Sequence, residues 1–240
     1  MFVWNEETVH FLRNASEYGD YYRQLAAWIA PHLNGNEHLC DAGCGLGYLS
    51  LELSKYVKCI TAVDSSEIAL NLLRRNAANR RNITIQCGKI ESFTPPVLYD
   101  AMVFCFFGKM DEVASIAKAQ CRGEIFVFKK NYVNHRFTPG EYPVGDDSFE
   151  NAVGWLEGRG VPFTSDALSL EMGQPLRSRE EARRFFNLYH RGGEITDDFL
   201  DSRLIATGRE DFPLYLPQKR EIGCLRMQVS DLPTQTEESL

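Results

Sequence analysis

The sequence predicts an α/β fold built on a doubly wound, mostly parallel sheet with an antiparallel strand at its C-terminal end. Three observations carry this. Residues 41–47, Asp-Ala-Gly-Cys-Gly-Leu-Gly, follow a short apolar stretch (His38, Leu39, Cys40) and open a helical pattern. Strand-like and helix-like segments then alternate as far as Lys130, as a parallel sheet with crossover helices requires. Tyr99–Phe104 is apolar throughout except for Asp100, as suits a parallel strand buried on both faces.

Each element has its own signal. A short helix is expected over residues 6–15. Over 17–30, Tyr18, Tyr21, Tyr22, Leu25 and Ile29 fall on one helical face, and Pro31 ends it. The first strand is expected at 37–42 and its helix at Leu46–Lys55. The second strand spans 58–64, and Ser65 or Ser66 caps a helix burying Ile68, Leu72 and Leu73. Ile83, Ile85 and Cys87 alternate in a third strand. After Tyr99–Phe104 come a helix at Asp111–Ala119 and a fifth strand at Glu124–Lys130. Further on, Phe149, Val153 and Leu156 mark a helix, and Phe163–Met172 reads as a strand. Ser178 and Glu181 form a capping box, with Gly192-Gly193 as its helix's stop. Thr196 caps a shorter helix, and residues 221–229 make the last strand. The tail from Ser230, rich in polar residues and proline, is expected to be disordered.

Composition narrows the function. A chain of 240 residues, 44% hydrophobic and 25% charged, is an ordinary globular protein of one domain with additions. A net charge of −7 argues against gripping nucleic acid over a broad surface. No apolar run approaches the ~20 residues of a membrane span, and Met-Phe-Val-Trp-Asn-Glu-Glu lacks the features of a secretory signal, so a cytoplasmic location is expected. Seven irregularly spaced cysteines without a C-x-x-C pair read as reduced core thiols, and no metal site is expected.

The glycine run states a ligand preference. Its spacing lets the backbone turn tightly and approach a bound group closely. Asp41, two residues before the first glycine, would repel a pyrophosphate and suits a ligand with a positive head. Asp41, Gly43, Gly45 and Gly47 match Asp/Glu-x-Gly-x-Gly-x-Gly, and Cys59–Val63 leads to a second acid, Asp64, 19 residues after Gly45. In both respects the chain resembles the class I S-adenosylmethionine-dependent methyltransferases. The resemblance covers about residues 37–172 and the final strand. It implies a Rossmann-like seven-stranded sheet with the last strand inserted between the fifth and sixth. It also implies a methyltransferase domain over 37–229, a helical lid at 1–36 and a helical insertion at about 174–210, the additions shaping the substrate pocket.

The resemblance further implies S-adenosyl-L-methionine as cofactor and S-adenosyl-L-homocysteine as product. By this resemblance Asp41 serves the methionine ammonium. Gly43, Cys44 and Gly45, with Gly47 completing the turn, offer backbone groups. Asp64 takes both ribose hydroxyls and Ser65 lies beside the adenine. Lys89 stands where the family commonly has an adenine-binding Asp, and an ammonium cannot accept a hydrogen bond. Recognition there is expected from the Ile90 backbone and apolar packing. Phe104 matches a position bordering the methionine chain. After the fourth strand, Phe104-Cys105-Phe106-Phe107 stands in place of the Asn/Asp-Pro-Pro-Tyr/Phe of enzymes that methylate planar amines, so that subclass is not expected. Tyr18, Tyr22, Phe106 and His135 are the candidates for the acceptor side, and no residue is assigned as catalytic. The expected reaction is in-line methyl transfer to a small-molecule acceptor, with RNA or protein modification, or a non-catalytic cofactor-binding module, as alternatives. Lys129, Lys130 and Arg136 read as a basic, solvated edge, alternatively holding a substrate carboxylate or phosphate.

Overall fold

The computed structural model describes residues 4–35, 37–132, 137, 147–189 and 194–233. Its centre is a seven-stranded sheet in the order β3-β2-β1-β4-β5-β10-β6. The strands are β1 (His38–Ala42), β2 (Cys59–Asp64), β3 (Ile83–Cys87), β4 (Tyr99–Cys105), β5 (Cys121–Lys130), β6 (Thr164–Glu171) and β10 (Lys219–Gln228). β10 runs antiparallel to both β5 and β6, and the remaining paired strands are parallel. The seven-stranded, mostly parallel arrangement expected from the sequence is therefore present. Leu39, Val103, Phe126, Phe128, Ile222 and Cys224 are fully buried against one layer of helices. Phe104, Val127 and Leu225 are buried against the other. The order turns back between β1 and β4, where an open α/β sheet presents a crevice at its carboxyl edge.

Local chemistry sets the helix boundaries. Asn5 caps α1 (Glu6–Tyr18) in a reciprocal box with Thr8. The single helical face read over 17–30 is broken, because Gly19 takes an extended conformation that ends α1. The chain restarts as α2 (Tyr21–Ile29), with the Asp20 side chain held by Arg23 and Gln24. Tyr18 and Tyr22 thus belong to different helices. α2 buries Tyr21, Leu25, Ala26 and Ile29 completely and is part of the core. α1 and Trp4 before it pack near the glycine loop. There α1 packs on α4 (Glu67–Asn76), where Trp4, Val9 and Leu12 meet Leu46, Ala69 and Leu72. α3 (Tyr48–Leu53) follows the glycine loop. α5 (Met110–Gln120) and α6 (Phe149–Glu157) cover the opposite face.

The insertion is not purely helical and runs past residue 210. It contains β7 (Gln174–Leu176), α7 (Arg179–Leu188), α8 (Asp197–Arg203), β8 (Ile205–Ala206) and β9 (Leu214–Leu216). Its strands pair antiparallel in the order β7-β9-β8. Strands of two and three residues carry too little alternation to be read from sequence. Leu176, Ala182, Phe185, Phe186, Leu200 and Leu216 form a small core completed by Phe11 of α1. Gly192-Gly193 lies outside the described residues. The tail also differs from expectation. A 3-10 turn spans Val229–Asp231, and Val229 and Leu232 are buried in the main core, so order continues through residue 233.

Candidate active site

The glycine loop is built by hydrogen bonds that leave its outer surface bare of side chains of its own. The amides of Gly43 and Cys44 both donate to the Val63 carbonyl, at 2.9 and 3.0 Å, and tie the loop to β2. Gly47 N–H closes the turn on Cys44 O at 2.9 Å. Gly43 and Gly45 hold φ angles of 71° and 55°, which side-chain-bearing residues rarely adopt. A β-carbon at Gly43 would lie 2.3 Å from the Phe107 ring, and one at Gly45 would lie 2.8 Å from the Trp4 ring. Two aromatic rings therefore rest on the loop.

Asp64 sits at the mouth of this loop. Its Oδ2 accepts from Gly45 N–H and its Oδ1 from Ser66 N–H, each at 2.8 Å. An ionised carboxylate offers about four acceptor directions, so both oxygens keep capacity for hydroxyl donors. Asp41 is buried beneath the loop. Ser50 Oγ donates to its Oδ2 at 2.5 Å, while its Oδ1 is buried with no partner. Burial pushes its carboxyl up to about 6; the Ser50 bond works against this, and the nearby Asp64 charge adds to it. A buried acceptor lacking a donor, on a carboxyl that ionises reluctantly, is what an incoming ammonium would satisfy. The acids present thus fit a cationic nucleoside at both of its ends.

The remaining expected cofactor residues vary in position. Cys44 is half-buried in the loop and Ser65 is exposed at its rim; Ser66, not Ser65, caps α4. Gly88 N–H donates to Asp64 O at 2.9 Å, which brings the Lys89 turn beside that acid. Lys89 is exposed. The Ile90 side chain is in the core, and its carbonyl is taken by Gln120 Nε2 at 2.8 Å. Phe104 is fully buried and faces the core with its ring stacked against Phe107, so Phe107 is the ring that touches the loop.

On the acceptor side the two tyrosines part. Tyr18 stacks on Tyr215, 5.1 Å between ring centres, and lines a cleft of about 330 Å³ with Glu171, Gly173 and Thr207, away from the glycine loop. Tyr22 stacks on Tyr48 at 5.7 Å, and its phenol, pushed up to about 12 mainly by burial, also feels Asp41. Tyr22 is therefore the one beside the loop. Phe106 has φ 55°, the only positive value among the described non-glycine residues. That costs a bulky side chain of order 1–3 kcal/mol and marks a turn held by its surroundings. Phe106 N–H is fixed on Phe128 O at 3.0 Å. The carbonyl of Gly108 accepts from Lys129 Nζ, which is buried and paired with Asp147. Lys129 is thus a clamp on the turn and not part of a solvated basic edge. His135 and Arg136 lie outside the described residues.

Sequence reasoning missed Ser50, Trp4 and Phe107. Ser50 had a readable signal, one turn into the helix after the loop; the others reach the site only through tertiary packing. Among the described residues no group of three His, Cys, Asp or Glu side chains is arranged to hold a metal ion.

A crevice at the sheet's switch point, with an acid under a glycine loop and another at its mouth, defines a nucleoside-binding α/β protein. Comparison with known proteins shows what the chain is similar to. Residues 39–123 match the model of a methyltransferase domain. An uncharacterized RNA methyltransferase of Listeria innocua is 32% identical over 101 residues, 38% of this chain and 22% of that protein. A ubiquinone biosynthesis O-methyltransferase of Coxiella burnetii is 39% identical over 59 residues, 24% of this chain and 25% of that protein. The chain thus spans about a quarter of the length of the curated relatives it matches. Two solved structures share the fold at 14% identity. One is a functionally unknown protein from Deinococcus radiodurans, with TM-score 0.56 covering 93% of this chain and 100% of the other. The second is YcgJ of Bacillus subtilis, with TM-score 0.54 covering 86% and 98%. Over residues 39–123 the chain is thus similar to a methyltransferase domain, and the sheet and glycine loop are those that its resemblance to the class I S-adenosylmethionine-dependent methyltransferases implies.

Proposed function

We propose that this protein transfers a methyl group from S-adenosyl-L-methionine to a small-molecule acceptor in the cytoplasm. The observation that carries the reading is the pair of acids, Asp41 with a buried unpartnered oxygen and Asp64 bridging the Gly45 and Ser66 amides. When bound, the cofactor supplies a methyl group already activated on a positively charged sulfur. Asp41 receives the ammonium end and holds it by charge. Asp64 accepts from the ribose hydroxyls and fixes the other end, with Ser65 and the Lys89–Ile90 turn beside the adenine. The bare backbone at Gly43, Cys44 and Gly45 allows close approach. Tyr22, Phe106 and Phe107 wall the acceptor side and keep water from it, which with alignment is most of what such a displacement needs. No side chain is assigned as a general base.

A small acceptor is supported by the net charge of −7 and by the relative that acts in ubiquinone biosynthesis. The relative named as an RNA methyltransferase supports the second reading, an RNA acceptor. Seven free thiols support a reducing compartment. Among the described residues no helix is long and apolar enough to cross a membrane. Incubation with methyl-labelled cofactor, a metabolite extract and total RNA separates the readings. Label is expected in the small-molecule fraction. Label confined to RNA contradicts the proposal, and cofactor binding without any transfer leaves the binding-module reading in its place.

A further inference from the structure

We propose that Arg220 anchors an anionic group of the methyl acceptor, a carboxylate or phosphate presenting two oxygens to one edge of its guanidinium. This rests on the methyltransferase reading above and names the chemistry of the acceptor that site would take.

Arg220 lies near the start of β10. Ile222 pairs with Lys130 and Asn131 N–H donates to Glu221 O, so Arg220 stands opposite Tyr132, just past the carboxyl end of β5. That edge, next to the end of β4, is where ligands sit in an open α/β sheet. The side chain shares its face of β10 with Ile222 and Cys224, which pack with Tyr21 and Leu25 of α2. The guanidinium lies 5.0 Å over the Phe106 ring and 5.3 Å over the Tyr21 ring. It is thus held against the strained turn that walls the glycine loop. Tyr22 and Cys105 both feel the charge of Asp41 and of Arg220, so both charges act on the same pair of side chains.

The cation there is incompletely satisfied. Nη1 donates to Tyr21 Oη at 3.2 Å, whereas Nε is buried and has no partner. No carboxylate among the described residues pairs with Arg220. The acids near it on β6 and β10 are engaged elsewhere. Glu221 accepts from Ser169 at 2.6 Å, Glu171 from Tyr215 at 2.6 Å, and Asp166 from Trp28 at 2.9 Å. Withdrawing a guanidinium from water without a counter-charge is costly, and two ring faces return only part of that cost. A site that retains such a group gains when the counter-charge arrives with a ligand. The edge formed by Nε and Nη2 matches the spacing of two oxygens in a carboxylate or phosphate, a match lysine lacks. The aromatic neighbours Tyr21, Tyr22 and Phe106 suit a flat apolar body attached to that anion.

The test uses calorimetry on the full chain, first with S-adenosylhomocysteine and then, in its presence, with benzoate, phenyl phosphate and the neutral isostere benzamide. At least one anion is expected to bind at least tenfold more tightly than benzamide. That preference should vanish in Arg220→Gln and fall partway in Arg220→Lys, which keeps charge without the fork. Both variants should hold S-adenosylhomocysteine within about twofold of wild type, which certifies the fold. Preference for benzoate or for phenyl phosphate identifies which anion the site takes. Equal binding of benzamide, no binding of either anion, or anion binding unchanged in Arg220→Gln overturns the anchor. Failure of wild type to bind S-adenosylhomocysteine overturns the methyltransferase reading instead.

Discussion

Asp41 has one oxygen satisfied by Ser50 and one buried without a donor. Its carboxyl rises to about 6 from an ordinary 3.8, so the folded chain holds this proton more tightly than the unfolded chain does. The stability this provides is complete below pH ~4 and is lost as pH rises toward 6, a difference of roughly 3 kcal/mol. A cationic ligand needs the ionised form, so cofactor affinity should climb with pH through about 6 and level off above 7. Asp41→Asn should melt higher than wild type at pH 7 without ligand. It should also bind cofactor tenfold or more weakly, with a flat pH profile. Thermal melts and calorimetry from pH 5 to 8 check both, and a variant that keeps the wild-type profile contradicts the role. The placement of Asp41 beneath the glycine loop and of Asp64 at its mouth was legible because it hangs on a local glycine pattern and a fixed separation along the chain. Arg220 was not, because 179 residues separate it from Asp41 and only the antiparallel return of β10 brings them near.

Among the elements, α1 has two partners. It lies across α4 near the glycine loop, and Phe11 enters the insertion's core beside Phe185, 5.2 Å between ring centres. Phe11→Ala removes a ring that is 1% exposed. It should destabilise the protein by about 3–5 kcal/mol in urea unfolding, and hydrogen exchange should rise first in α7 and α8. A loss under 1 kcal/mol would show that the insertion does not depend on α1. The sequence placed the starts of α4 and α7 by their serine caps and both ends of α5 within a residue, but Ile68, expected to be buried on α4, is 48% exposed, and Ala69 and Leu70 face the core instead. It misjudged the segment after Asn5 because a tyrosine-rich stripe continues across Gly19, and only the extended backbone at that glycine separates Tyr18 from Tyr22.

Across the whole molecule, sheet order followed from alternation and from the family resemblance, and the strands most hydrophobic in sequence are the ones buried on both faces. The additions were less legible. The insertion's strands and the ordered 229–233 turn are short, and long-range contacts decide them. What unites the scales is a glycine loop with one acid beneath it, another at its mouth and aromatic rings beside it. Trp4 and Phe107 lie on the loop's glycines. Titration of wild type and Asp64→Ala with S-adenosylmethionine by calorimetry at pH 7.5 tests the central claim most directly. The account predicts one-site binding by wild type, weakened by about 1–3 kcal/mol in the variant through loss of charged hydrogen bonds. No binding by wild type, or equal affinity in the two proteins, contradicts it.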